Sequence, residues 1–308
     1  MRPSFSLTLL TTAIGLLLTA LVVGFVFLRP MSVNFFHYLV WRLGSDVETS
    51  QGNVSSGDDV IHYVCYGEGP AVMLLHGGLS NRLIWFSQLT WLATSARQVV
   101  VIDTRGHGKS TLGDAELTYR LLASDAVAVL DQLRIRKTDV IGWSDGGNTA
   151  LMLGRYWPWR VNRLVAISAN FNPSGLTPEA HAEAGEESSG LGRWLSRWWT
   201  GAGTHLVELE RRIKTMWQTR PNLQPVDLKA IEAPTLVIVG EKDDVMVSHA
   251  TELAETLHNG KLAIIPGGHF TPLTHPHQVN ELIADFLDIR GRNENSSKRL
   301  SRNGLSTF

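Results

Sequence analysis

Asp139-Val-Ile-Gly142-Trp-Ser144-Asp-Gly146-Gly-Asn-Thr-Ala-Leu-Met-Leu153 is the stretch whose reading decides the fold. Asp139–Gly142 reads as the end of a strand, and Gly146–Tyr156 as a helix that stops at Pro158. Between them a serine stands at the spacing G-x-S-x-G. A serine perched on so sharp a strand-to-helix turn must take a strained backbone conformation, and its flanking positions leave no room for Cβ atoms. The helix that starts just beyond adds partial positive charge where an oxyanion would form. The bare pattern is weak; its place between strand and helix gives it meaning.

Outward from this turn, short apolar strands alternate with amphipathic helices. Upstream, Val60–Tyr66, Ala71–Leu75 and Gln98–Ile102 read as strands. Arg82–Ala93 reads as a helix with Ile84, Trp85, Leu89 and Leu92 on one face, and Tyr119–Leu133 as a helix capped by Thr118. Downstream, Leu164–Ser168, Thr235–Val239 and Lys261–Ile265 read as strands, with helices near His249–Leu257 and Pro276–Leu287. This alternation predicts an α/β fold, a mostly parallel sheet covered by helices on both faces. Regularity breaks from Asn172 to about Lys229.

A serine hydroxyl is a poor nucleophile until a base takes its proton, so Ser144 needs a histidine. His269 follows the last strand in Pro266-Gly-Gly-His-Phe270, where a loop can swing an imidazole over the sheet edge. The carboxylate that orients it is expected after the preceding strand, where Gly240-Glu-Lys-Asp-Asp-Val245 supplies Asp243 with Asp244 adjacent. For the oxyanion, His76-Gly-Gly78-Leu79 follows an early strand. The N–H of Gly78, with Leu79 as alternative, is expected to pair with the N–H of Asp145. Leu79, Trp143 and the Asp145 side chain are the candidate substrate contacts, and His76 is expected to be structural.

Histidine-glycine loop, elbow, acid after a late strand and histidine after the last one together resemble the α/β-hydrolase superfamily. Asp103-Thr-Arg-Gly-His-Gly-Lys-Ser110 looks like that family's D-x-R-G-x-G-x-S segment, whose role there is structural. The resemblance spans Val60 to Leu287 and implies the order Ser, Asp, His along the chain, a helical cap at Asn172–Lys229, and no organic cofactor or metal. Gly142-Trp-Ser-Asp-Gly-Gly147 further resembles the elbow of the valacyclovir hydrolase group and its bacterial relatives, which implies that Asp145 receives a substrate amino group; a surface or capping role is the alternative. In the cap, Trp194, Trp198, Trp199 and Trp217 stand among Arg193, Arg197, Arg211, Arg212 and Lys214. They suit an apolar pocket, a membrane-facing mouth or plain packing.

The rest of the chain bounds the function. A formal charge of -1 over 308 residues offers no basic surplus for a nucleic acid. The single cysteine, Cys65, allows no intramolecular disulfide and reads as a small buried side chain. Phe5 to Leu28 is apolar without an ionisable group, long enough to cross a bilayer as a helix. A signal peptide is the competing reading, but the run ends in Gly24-Phe-Val-Phe-Leu-Arg-Pro30 with no small-x-small site. The expected organisation is therefore a transmembrane anchor at 1–30, a juxtamembrane segment and linker at 31–58, a hydrolase domain at 59–290 with its cap at about 172–229, and a disordered basic tail at 291–308. That predicts a single-pass membrane protein with lipid around its anchor, the side of its catalytic domain undetermined. The expected activity is serine-dependent cleavage of a small or medium carboxylic ester or related acyl bond. A carbon–carbon bond hydrolase, a cofactor-free perhydrolase or acyltransferase with the same triad, and a non-catalytic binding protein are the alternatives. The sequence leaves the oligomeric state open.

Overall fold

The computed structural model describes residues 31–183, 196–197 and 199–289. The chain divides into two compact units, Met1–Ser45 and Asp46–Phe308. In the first, residues 31–44 form helix α1, on which the Tyr38 ring lies 6.2 Å from Phe35 and 6.2 Å from Trp41.

The second unit is built on one sheet. Its strands are β1 (Thr49–Ser56), β2 (Asp59–Tyr66), β3 (Ala71–Leu75), β4 (Gln98–Asp103), β5 (Thr138–Trp143), β6 (Val161–Ile167), β7 (Thr235–Lys242) and β8 (Gly260–Gly268). They lie in the order β1-β2-β4-β3-β5-β6-β7-β8. The β1–β2 and β2–β4 pairs are antiparallel, and every later pair is parallel. All residues of β3 and β5 are buried, so both faces of the sheet centre are covered, as the apolar runs Ala71–Leu75 and Val140–Trp143 require.

The helices are α2 (Phe86–Thr94), α3 (Tyr119–Gln132), α4 (Asp145–Tyr156), α5 (Pro178–Glu183), α6 (Leu206–Thr219), α7 (Pro225–Lys229), α8 (Val247–Thr256), α9 (Thr271–Thr274) and α10 (Pro276–Phe286). Contacts sort most of them into two packed groups, α3 with α4, α7 and α8, and α2 with α9 and α10. Thr118 caps α3 by accepting Leu121 N–H at 3.0 Å, which satisfies one of the orphan donors of the first turn. Arg82–Ala93 divides into a 3₁₀ turn, Arg82–Trp85, followed by α2. Between β6 and β7, α6 buries Leu206, Leu209, Ile213 and Met216 along one stripe that joins the main apolar core.

Two expectations need correction. The linker expected across Asp46–Asp58 contains a full edge strand: β1 pairs with β2 from Thr49–Tyr66 to Ser56–Asp59. Its polar side chains are tolerated because the edge is half solvent-exposed, and Gly57, at φ 62°, makes the two-residue turn into β2. The single-pass membrane placement is also corrected. Among the described residues no helix is long and apolar enough to cross a membrane. The expected anchor and its lipid contact fall on residues 1–30, outside the described residues, as does the expected tail at 291–308.

The Asp103–Ser110 segment ties the sheet to its helices. The Arg105 guanidinium is buried and donates to Asp125 of α3 at 2.7 and 3.0 Å, and it also pairs with Asp59 of β2. A buried ion of this size is tolerated only when paired and hydrogen-bonded in this way. Cys65 is buried in β2, and burial pushes its thiol up to about 11, in keeping with a small packing residue.

Candidate active site

The parallel strands end along one rim, and the residue just past each end matters. His76 follows β3, Ser144 follows β5, Ser168 follows β6, Asp243 follows β7 and His269 follows β8. Because β3, β5, β6, β7 and β8 are neighbours in that order, groups far apart in the chain meet at the carboxyl edge, where open α/β sheets bind their ligands.

Ser144 sits between β5 and α4 at φ 55°, ψ -122°, outside the regions ordinary residues prefer. The turn is tight enough that a Cβ on Gly142 would run into the Gly146 carbonyl, and one on Gly146 into the Leu75 carbonyl. That is why glycine occupies both positions.

His269 Nε2 lies 2.9 Å from Ser144 Oγ, and His269 Nδ1 lies 2.8 Å from Asp243 Oδ1. Asp244 is 3.9 Å from the same nitrogen and largely exposed, so Asp243 is the carboxylate that holds the ring. Asp243 is buried and accepts three further bonds, from Ser168 Oγ at 2.6 Å, Gly240 N–H at 3.1 Å and Val245 N–H at 3.2 Å. Burial alone would push its carboxyl up. The hydrogen bond and charge of His269, then Ser168 and Gly240, outweigh burial and hold it below the ordinary carboxylate range. For His269, burial pulls the imidazole down, but the hydrogen bond and charge of Asp243, with Asp244 and Asp145 adding, raise it above its usual value.

The remaining expected residues fall around this chain of bonds. The Gly78 and Asp145 N–H groups have no hydrogen-bond partner among the described residues. The Leu79 N–H is committed, donating to His107 Nε2 at 3.1 Å. Trp143 lines the cavity and donates its indole N–H to the His269 carbonyl at 2.8 Å, so it also braces the histidine loop. His76 is buried, bonds the Gly77 carbonyl at 2.7 Å and accepts Thr104 N–H at 3.0 Å. Burial pulls His76 down to about 4 and His107 to about 3, which keeps this pair neutral at physiological pH.

These groups open into a cavity of about 410 Å³ lined by Gly78, Leu79, Ser144, Asp145 and His269 together with Trp143, Trp199, Trp217, Phe270 and Arg220. Of the cap tryptophans, Trp199 and Trp217 reach it; Trp194 and Trp198 lie outside the described residues, as does Arg193. Arg211 and Arg212 pair with Glu208, and Lys214 with Glu210, on α6, while Arg197 is exposed. Sequence reasoning missed Ser168 and Tyr119. Ser168 closes a recognised strand, but only the sheet order shows that this strand lies beside the acid-bearing one. Tyr119, the first residue of α3, gave none.

Comparison with known proteins agrees with this fold. The sequence matches the alpha/beta hydrolase family over residues 72–282. Serine hydrolase BPHL of Mus musculus is 30% identical over 251 residues, covering 74% of this chain and 82% of the relative. The non-heme haloperoxidase of Rhodococcus erythropolis is 26% identical, over 74% of this chain and 96% of that protein. Among solved structures, an N-acyl homoserine lactone degrading enzyme matches with a TM-score of 0.62 at 29% identity, covering 76% of this chain and 100% of that one.

Proposed function

This chain belongs to the alpha/beta hydrolase family, and from that premise we propose that it is a serine hydrolase that cleaves a carboxylic ester, or a related acyl bond, through an acyl-enzyme on Ser144. The observation that carries the proposal is the unbroken chain of hydrogen bonds from Ser144 Oγ through His269 to Asp243, at 2.9 and 2.8 Å. The catalytic domain takes in the whole sheet from β1 at Thr49 onward, with its cap at about 172–229.

His269 takes the proton from Ser144 as Oγ attacks the substrate carbonyl. Asp243 fixes the imidazole with its proton on Nδ1 and stabilises the imidazolium that forms. The N–H groups of Gly78 and Asp145, without partners among the described residues, are available to the tetrahedral oxyanion, which gains two short bonds that the planar carbonyl lacks. His269 then returns the proton to the leaving alcohol, and a water deprotonated by the same imidazole releases the acid. The aromatic wall of Trp143, Trp199, Trp217 and Phe270 favours an apolar acyl or aryl group, and about 410 Å³ suits a small or medium substrate. A lactone, being a cyclic ester, follows the same steps, and the 29% identity to a lactone-degrading enzyme supports including it.

The test is labelling with a serine-reactive fluorophosphonate. The wild type is expected to be labelled once per chain and Ser144→Ala not at all; labelling that survives this substitution would refute the assignment. A panel of ester, thioester, lactone and amide substrates then ranks the acyl classes, and product analysis separates hydrolysis from perhydrolysis or carbon–carbon cleavage.

A further inference from the structure

The acyl-transfer scheme uses only the backbone N–H of Asp145, yet the residue carries a buried side chain in the cavity wall. Its oxygens face donors from two distant segments. Tyr119 Oη, at the start of α3, donates to Oδ1 at 2.8 Å. Trp217 Nε1, near the end of α6 in the cap, spans Oδ1 at 2.8 Å and Oδ2 at 2.9 Å. Gly78 closes the remaining side. A Cβ there would collide with Asp145 Oδ2 and come within 2.9 Å of Trp217 Cζ2. Glycine loop, elbow and cap therefore meet at one carboxylate.

Both donors are neutral. A carboxylate has about four lone-pair sites, so three donor contacts leave little for a ligand. The cation that lines the same cavity, Arg220, is paired with Glu116 at 2.8 Å instead. A substrate ammonium group would have to displace the Trp217 indole before it could reach both oxygens.

We propose that the Asp145 carboxylate is a latch that positions the cap, through Trp217, and α3, through Tyr119, against the nucleophile turn, and that it is not a receptor for a substrate amino group. Its kinetic consequence rests on the serine-hydrolase reading above: the latch sets the pocket wall, hence chiefly substrate affinity, while its charge adds only the last and smallest of the influences that raise His269. Burial raises the carboxyl to about 6, against the opposing hydrogen bonds of Trp217 and Tyr119 and the charge of His269. The latch therefore loosens as the carboxyl takes a proton and becomes a weaker acceptor. Among the described residues, Asp244 and Arg220 are the other charged groups around the cavity.

The experiment compares wild type, Trp217→Phe, Tyr119→Phe and Asp145→Asn as full chains, with active sites counted by fluorophosphonate labelling. Trp217→Phe keeps the ring and loses the donor. It should raise KM on the order of tenfold, the equivalent of one hydrogen bond to a charged group, with kcat per labelled site kept within roughly threefold. A merely structural defect would instead lower the labelled fraction at constant KM. In the wild type KM should rise as pH falls through about 6. That rise should begin roughly one pH unit higher in Trp217→Phe and Tyr119→Phe, because the charged form has lost a donor, and disappear in Asp145→Asn. An amino-acid ester and its des-amino analogue should be cleaved by the wild type with similar kcat/KM. A preference of tenfold or more for the amino ester, lost in Asp145→Asn while Trp217→Phe leaves KM unmoved, would overturn the latch. If the wild type is not labelled, the serine-hydrolase reading fails and the latch is judged from tryptophan fluorescence. A step near pH 6 should then be present in the wild type and absent from Trp217→Phe and Asp145→Asn; its persistence in Trp217→Phe would overturn the latch.

Discussion

Replacing Ser168 by alanine probes the support of the acid rather than the acid itself. Ser168 Oγ donates to Asp243 Oδ2 at 2.6 Å, and its loss leaves Asp243 with His269, Gly240 and Val245 as donors. A hydrogen bond to a charged group contributes about 1.5–3 kcal/mol net, and with three donors remaining the lower figure applies. At 1.36 kcal/mol per unit, the Asp243 carboxyl should become more basic by about one pK unit. A more basic carboxylate holds the imidazolium more tightly, so the acid limb of kcat/KM should move to higher pH by a fraction of that unit. Looser orientation of His269 should lower kcat by up to about tenfold. Ser168 sits at φ 52°, where glycine is unstrained and alanine is not, so Ser168→Gly should be more stable than Ser168→Ala by about 1 kcal/mol. Both variants lack the hydroxyl and should share the pH shift. Rate profiles from pH 4 to 9, with urea melts of each variant, make the comparison. If neither variant moves the limb or kcat, the bond to Ser168 does not tune the acid.

His269 must be neutral to act as a base, and its pKa is raised, so kcat/KM should rise through an apparent value above 6.5; Asp243→Asn removes the largest raising influences and should move that limb down while kcat falls by about four orders of magnitude, read from pH–rate profiles. Asp145 is raised from 3.8 to about 6, so the folded state holds its proton more tightly and loses stability as pH rises between those values. Asp145→Asn should therefore melt later than wild type at pH 7, by up to about 3 kcal/mol, and show no such gain at pH 3.5. Arg105→Met leaves Asp59 and Asp125 buried without their cation and should lose about 3–5 kcal/mol in urea denaturation, whereas Arg211→Met, an exposed pair partner, should change stability by less than about 1 kcal/mol. Gly146→Ala drives a Cβ into the Leu75 carbonyl and should abolish a stable fold or destabilise it by more than about 3 kcal/mol, seen by circular dichroism.

The nucleophile turn, the histidine and the acid could be found in the sequence because each directly follows an apolar strand, and a parallel sheet puts such positions on one rim. Gly142 and Gly146 were readable for the same local reason, a close approach that only glycine permits. What escaped depends on neighbours that sequence spacing does not show. Ser168 matters because β6 lies beside β7, and Trp217 reaches Asp145 across 72 positions through the cap. β1 was missed because an exposed edge strand has no apolar alternation to reveal it; its backbone pairing, not its side chains, makes it a strand. The apolar run at Phe5–Leu28 lies outside the described residues, and among those no helix is long and apolar enough to cross a membrane.

The most direct measurement is the mass of the enzyme during turnover. An ester substrate is mixed with the protein, quenched in acid within milliseconds, digested and analysed by mass spectrometry. Acyl transfer through Ser144 predicts a peptide containing that residue heavier by the acyl group, accumulating in the wild type before steady state and absent from Ser144→Ala. Full turnover with no acylated peptide at any time, or with the acyl group on another residue, would contradict it.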